Sequence, residues 1–213
     1  MYKLLSYPLN FQTPLYGNIE PIQIKIKEQD SIMTARISFS NHSGTHLDAP
    51  RHFFKSGRSI SDYSIEELIF NSPLLIDCPK KENELITIDD LKSIRDCDLL
   101  LIRTGFYKYR GSEKYRLCNP GISPETAEWI RRNHPAIRAI GIDTISISAF
   151  QKREVGRRAH QILLKSNGFP GDPVLLIEDL NLSGEFNKLK KVYAIPLFIE
   201  GVDSMTCTVI GEF

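Results

Sequence analysis

The chain has 213 residues, 41% hydrophobic and 25% charged, a composition that suits one soluble globular core. Its 27 basic and 26 acidic residues leave a formal charge of +1, too little for a broad field that would hold nucleic acid or an anionic membrane, and better suited to a small, uncharged or mildly polar substrate. No stretch approaches the roughly 20 apolar residues of a membrane span, and residues 1–11 carry no apolar leader run, so a cytoplasmic protein is expected.

Residues 22–27 alternate apolar and polar side chains (Ile22, Ile24, Ile26), and residues 33–39 repeat the pattern with Met33, Ala35, Ile37 and Phe39. Period two predicts a pair of half-buried strands joined by a turn at 28–31. Segments 64–70 and 87–95 predict short helices behind hydroxyl caps. The runs in 73–78 and 98–103 are apolar on both sides and predict buried strands. Ser123, followed by Pro124 and Glu125, opens a helix that Pro135 stops, with His134 at its end favoured by the helix dipole. Residues 137–142 form another buried run, 157–167 predict a helix closed by Gly168, and 168–173 predict a turn. Strands at 174–177, 192–198 and 205–210 complete the inventory. Strands first, then alternation, then strands again predict an α/β fold with a mixed sheet, with residues 1–213 in a single domain. Cys78, Cys97, Cys118 and Cys207 form no CxxC pair, and free thiols in a reducing cytoplasm are expected.

Chemistry concentrates in Asn41-His42-Ser43-Gly44-Thr45-His46-Leu47-Asp48-Ala49-Pro50-Arg51-His52, which holds three of the five histidines. Gly44, Thr45 and Pro50 argue against a helix, so a coiled loop leaving the second strand is expected, with Gly44 letting the backbone fold back. Imidazoles beside a carboxylate are the ligand types of a catalytic zinc or manganese site that keeps a position for water. The ordinary alternative is a set of capping or core histidines; a structural metal usually draws on cysteine ligands. His160 and Glu178 are candidates for a second ion, since a carboxylate such as Asp48 can bridge two. His160 can equally be a core histidine on its helix, whereas Glu178 ends an apolar run where a carboxylate needs a partner.

The motif His-x-Gly-Thr-His-x-Asp-x-Pro-x-His at 42–52 resembles that of the cyclase family of metal-dependent hydrolases, to which bacterial kynurenine formamidases and isatin hydrolases belong. Segments 13–17, 101–106, 141–146 and 177–182 extend the likeness, while Ser148 stands where the family commonly has aspartate. The resemblance implies a compact swivelling β/β/α-type domain that forms homodimers or higher homo-oligomers. It implies one metal on His42, His46 and Asp48 and a second on Asp48, His160 and Glu178, zinc first and manganese as the alternative; one or two ions are expected, with a mononuclear manganese enzyme as the close variant. His52 would be the proton donor and acceptor, and Tyr16 an aromatic over the substrate or else a packing tyrosine. The activity implied is hydrolysis of an amide or cyclic amide of a small aromatic molecule by metal-activated hydroxide. The alternatives are a lactone or ester hydrolase, and a metal-containing binding protein without turnover.

Overall fold

The computed structural model describes residues 1–17 and 20–213. In chain order the strands and helices are β1 (Tyr2–Leu4), β2 (Gln23–Gln29), β3 (Ile32–Ser38), β4 (His46–Asp48), β5 (Ile69–Phe70), β6 (Pro73–Asp77), β7 (Leu85–Ile86), β8 (Leu99–Arg103), α1 (Glu113–Leu117), β9 (Gly121–Ile122), α2 (Pro124–Asn133), β10 (Ala139–Ile142), α3 (Arg153–Leu164), β11 (Leu175–Glu178), β12 (Lys191–Pro196) and β13 (Ser204–Glu212).

The main sheet is mixed, as the order of elements predicted. β6, β8, β10 and β11 lie side by side and parallel. β4 then pairs antiparallel with both β11 and β13, β13 with β12, and β12 with β5, while β1 adds to the C-terminal end of β13. The parallel strands are buried on both faces because their side chains alternate between two cores. Leu100, Ile102, Ile140, Ile142 and Leu176 pack under Ala127 and Ile130 of α2 and Ala159 and Leu163 of α3. Leu47, Leu99, Leu101 and Ile177 face the other way, against Val192, Ala194, Met205 and Val209 from strands that curl over the same sheet. Two cores, one under helices and one inside a wrapped sheet, make the expected layered α/β fold.

Several local expectations change. Segments 64–70 and 87–95 contain only single 3₁₀ turns, Glu66–Leu68 and Ile88–Leu91. Ile69 and Phe70 are taken by pairing with β12, and the Thr87–Asp90 capping box holds one turn that is too short to propagate as a helix. α2 forms as predicted, with the Ser123 hydroxyl accepting from the Thr126 amide, 3.1 Å. His134 is its C-cap, but burial lowers its pKa, so the ring packs edge-on to Trp129 at 4.7 Å as a neutral imidazole, not as a cation on the helix dipole. α3 starts at Arg153 and stops at Leu164, earlier at both ends than expected, because Lys165 is already extended.

The strands at 22–27 and 33–39 exist as the β2–β3 hairpin, closed by Asp30 and Ser31 at φ 52° and 63°, the left-handed pair that a two-residue turn requires. They are not half-buried. Ile26, Met33 and Ile37 are 65%, 67% and 56% exposed, because the hairpin forms its own two-stranded sheet, and cover reaches only its base, at Ile22, Ile24 and Phe39. The four cysteines are free, and burial pushes Cys78 up to about 12 and Cys97 up to about 11. Among the described residues, no helix is long and apolar enough to cross a membrane.

Candidate metal centre

The segment expected as a coiled loop carries a strand. Gly44, at φ 64°, turns the chain, and His46–Asp48 then enters the middle of the sheet, hydrogen-bonded on both edges. The pleat sends Leu47 into the wrapped-sheet core and turns His46 and Asp48 to the opposite face. Glu178 lies directly across from His46 on β11, so it shares that face. A 3₁₀ turn at Pro50–His52 carries His52 back toward the same place. α3 supplies His160 from above. Its close approach depends on Gly156, where a Cβ would collide with the side chain and backbone of Ser148.

All the residues singled out from sequence line one cavity of about 420 Å³: Tyr16, His42, His46, Asp48, His52, His160 and Glu178, with Phe53, Ser146 and Ser148 beside them. His46 Nε2 sits 3.6 Å from Asp48 Oδ1 and 3.3 Å from Glu178 Oε2. His160 Nε2 is 3.3 Å from Glu178 Oε1 and 3.9 Å from Asp48 Oδ2, and His42 Nδ1 is 3.1 Å from Asp48 Oδ1. Donor atoms of His42, Asp48 and His52 lie within 4.8 Å of one another, and so do those of His46, Asp48 and Glu178.

The second nitrogen of each ring fixes what the first can do. His46 Nδ1 donates to the Gly44 carbonyl, 2.8 Å, and His160 Nδ1 to the Gly156 carbonyl, 3.0 Å. A carbonyl only accepts, so in the neutral rings Nε2 is a lone pair aimed at carboxylate oxygens. Lone pairs of histidine and carboxylate facing one another across 3 to 4 Å are an arrangement that a cation relieves, and outer hydrogen bonds of this kind orient metal-binding histidines. Asp48 Oδ1 is buried and makes no hydrogen bond among the described residues. The donor set, nitrogen and oxygen without sulfur, fits a divalent ion such as zinc or manganese.

The same crowding perturbs the titrations. Burial works against the charged form of His42, but the Asp48 charge and the Asp203 hydrogen bond outweigh it and raise its pKa to about 10. His46 and His160 are raised against burial by Glu178 and Asp48. In turn, and again against burial, His42, His46 and His52 hold Asp48 well below the usual carboxylate range, and His160 and His46 hold Glu178 at about 2.

Asp203 matches the family pattern but was not singled out as a site residue. It stands just before β13, and its Oδ2 accepts from His52 Nδ1 at 2.7 Å and faces His42 Nε2 at 3.2 Å. With Nδ1 of His52 tied down, Nε2 is the nitrogen left to exchange a proton. Ser146 and Ser148 were also missed as site residues. Ser146 Oγ and the Ile147 amide donate to Glu178 Oε1 at 3.0 and 2.8 Å, and Ser148 Oγ meets His160 Nδ1 at 3.1 Å. Behind Glu178, Asp179 adopts φ 55° and is clamped by Arg110 and the Tyr115 hydroxyl. Tyr16 lines the cavity and packs edge-on to Phe150 at 5.4 Å.

A family model described as "Putative cyclase" matches residues 4–149, more than half of the chain. The chain belongs to the cyclase family. It is similar to a kynurenine formamidase of Bacillus cereus, 24% identical over 206 residues that cover 93% of this chain and 91% of the relative. It is also similar to an uncharacterized protein of Methanocaldococcus jannaschii, 29% identical over 200 residues, covering 92% and 90%. Among solved structures, isatin hydrolase A of Labrenzia aggregata bound to benzyl benzoate superposes with a TM-score of 0.82 over 99% of this chain and 93% of that one. At 22% identity, that likeness speaks for the shared fold.

Proposed function

We propose that this cyclase-family chain is a metal-dependent hydrolase that cleaves an amide or cyclic amide of a small aromatic molecule. The observation that carries the reading is the convergence of buried Asp48 and Glu178 with His42, His46 and His160 beside an oriented His52 in a cavity walled by Phe53 and Tyr16. Likeness to a kynurenine formamidase and the fold of an isatin hydrolase support the choice of a carbon–nitrogen bond outside peptides.

In this reading His42, His46 and Asp48 would hold one divalent ion and Asp48, His160 and Glu178 a second, zinc first and manganese as the alternative. Bound there, a divalent cation supplies Lewis acidity toward a carbonyl oxygen and acidifies water. The protein supplies the remainder. His52 takes and returns a proton at Nε2, delivering it to the leaving nitrogen, while Asp203 fixes the ring by holding Nδ1. Phe53, whose ring lies 4.8 Å from His52 and 5.5 Å from His160, is an apolar wall against which an aromatic substrate can stack and from which water is excluded. A protein that only bound its ligand would have no use for the His52–Asp203 pair.

Residues 1–213 act as one domain, and the free thiols suit a reducing cytoplasm. Homodimerisation is supported by the β2–β3 hairpin, an isolated ribbon with an exposed apolar face that a second copy would cover.

The test is metal content per chain by elemental analysis, together with turnover of aryl formamides, lactams, lactones and aryl esters by the metal-loaded protein. About two equivalents with formamide or lactam cleavage supports the reading. Exclusive lactone or ester cleavage would move the assignment to that class, and failure to bind zinc or manganese would sink it.

A further inference from the structure

We propose that Arg153 and Arg157 form an anion-binding subsite at the mouth of the cavity, so that the amide substrate carries a carboxylate on the side of its ring away from the scissile bond. This rests on the amide-hydrolase reading and names its substrate class. α3 presents Arg153, Arg157 and His160 at spacings of four and three residues, one stripe of the helix, and all three line the same cavity. His160 stands on the buried floor beside Glu178. The rise of about 1.5 Å per residue puts Arg157 about 4–5 Å and Arg153 about 10 Å further along the axis, a span that accommodates one aromatic ring and a short arm.

Arg153 is stacked over Phe150, with its guanidinium 4.2 Å from the ring centroid, and lies 5.9 Å from that of Tyr16. Stacking orients the group yet leaves its N–H edge available to a planar anion. Among the described residues Arg153 has no carboxylate within ion-pair distance, and Arg157 has only Glu154 at 3.7 Å on the exposed surface. By contrast, Arg110 is fully engaged by Asp179 at 2.7–2.8 Å. The acidic side chains of the cavity are Asp48 and Glu178, both on the floor. A substrate ammonium group would therefore meet two guanidinium groups at the mouth, with the nearby Glu154 carboxylate already facing Arg157, which favours a plain carboxylate over an α-amino acid. The chain's net charge of +1 suggested an uncharged substrate; two guanidinium groups line this cavity all the same.

The test compares three formamides that share a leaving group: 3-(4-formamidophenyl)propanoate, its neutral amide 3-(4-formamidophenyl)propanamide, and zwitterionic 4-formamidophenylalanine. Each is assayed on the metal-loaded wild type and on the Arg153→Gln/Arg157→Gln double variant. The wild type is expected to favour the propanoate over both others by about tenfold or more in kcat/KM, with the propanoate-to-amide ratio collapsing in the variant. A ratio near one, a ratio that survives the double substitution, or preference for the zwitterion overturns the subsite. If no formamide is turned over, the formamide branch of the hydrolase reading fails separately and calorimetric binding of 3-(4-aminophenyl)propanoate and its amide decides the subsite. Tighter carboxylate binding in the wild type alone supports it. Equal binding, or carboxylate binding undiminished by the double substitution, overturns it.

Discussion

The Asp203 carboxylate lies 2.7 Å from Nδ1 of His52, across 151 residues of sequence. The same oxygen faces His42, so one partly exposed side chain orients the proposed proton carrier and one proposed metal ligand. In Asp203→Asn the amide oxygen can take the place of Oδ2 only by turning the new NH2 toward Asn41 Nδ2, which donates to Oδ1 at 2.7 Å, so the three contacts of the carboxylate cannot all be kept. Turnover at saturating metal should fall at least about tenfold, and metal affinity about tenfold to a hundredfold. Metal titration followed by kcat measurement separates the two effects; an unchanged kcat would remove Asp203 from the mechanism.

His46 and His52 should part company on substitution. His46→Ala opens the buried centre between Asp48 and Glu178 and is expected to lose both metal and activity. His52→Ala should keep its metal equivalents and lose about 10²- to 10⁴-fold in kcat, the usual worth of a positioned acid–base group. Elemental analysis beside steady-state kinetics checks both, and full turnover in His52→Ala would leave the proton to another group.

The raised pKa of His42 fixes a pH dependence. A group that titrates near 6.5 when unfolded and near 10 when folded stabilises the metal-free protein fully below about 6.5 and loses that contribution as pH rises through 10. The melting temperature of the metal-free protein should therefore decline between pH 7 and 10. Metal uptake shows the opposite trend, since each ion must displace imidazole protons, so zinc affinity should rise across the same interval. Chelator competition at several pH values and thermal melts of the stripped protein test the pair; a flat profile in both would contradict the linkage.

Gly156→Ala should be harmful where helix propensity alone predicts a gain of about 1 kcal/mol. The added methyl runs into Ser148, the neighbour that contacts His160, so α3 must shift away from the segment after β10 that carries Ser148. Metal equivalents should fall toward one while the helix content seen by circular dichroism persists. A variant that binds a full metal complement would show that α3 has slack.

Much of this was legible in the chain. The runs Leu99-Leu100-Leu101-Ile102 and Ile137–Ile142 announced buried strands because alternate residues serve two cores, and the His42–His52 spacing announced side chains that meet in one cavity. β4 was not legible: three residues with one apolar side chain carry no periodic signal, and only pairing with β11 and β13 makes them a strand. Alternation in β2 and β3 was real, but periodicity reports two faces and not what lies against them. Asp203 carried the signal of a glycine and an aspartate that match the family pattern at 201 and 203, but its role depends on contacts too distant in sequence for any local pattern.

The short strand between β11 and β13 has a consequence for kinetics of exchange and loading. Its amides are paired on both sides at the centre of the sheet, so His46 and Asp48 reside where local opening is rarest and hydrogen–deuterium exchange slowest. The metal-free protein should hold these two side chains in place without help, and loading should proceed as capture by a preformed cradle rather than as folding around an ion.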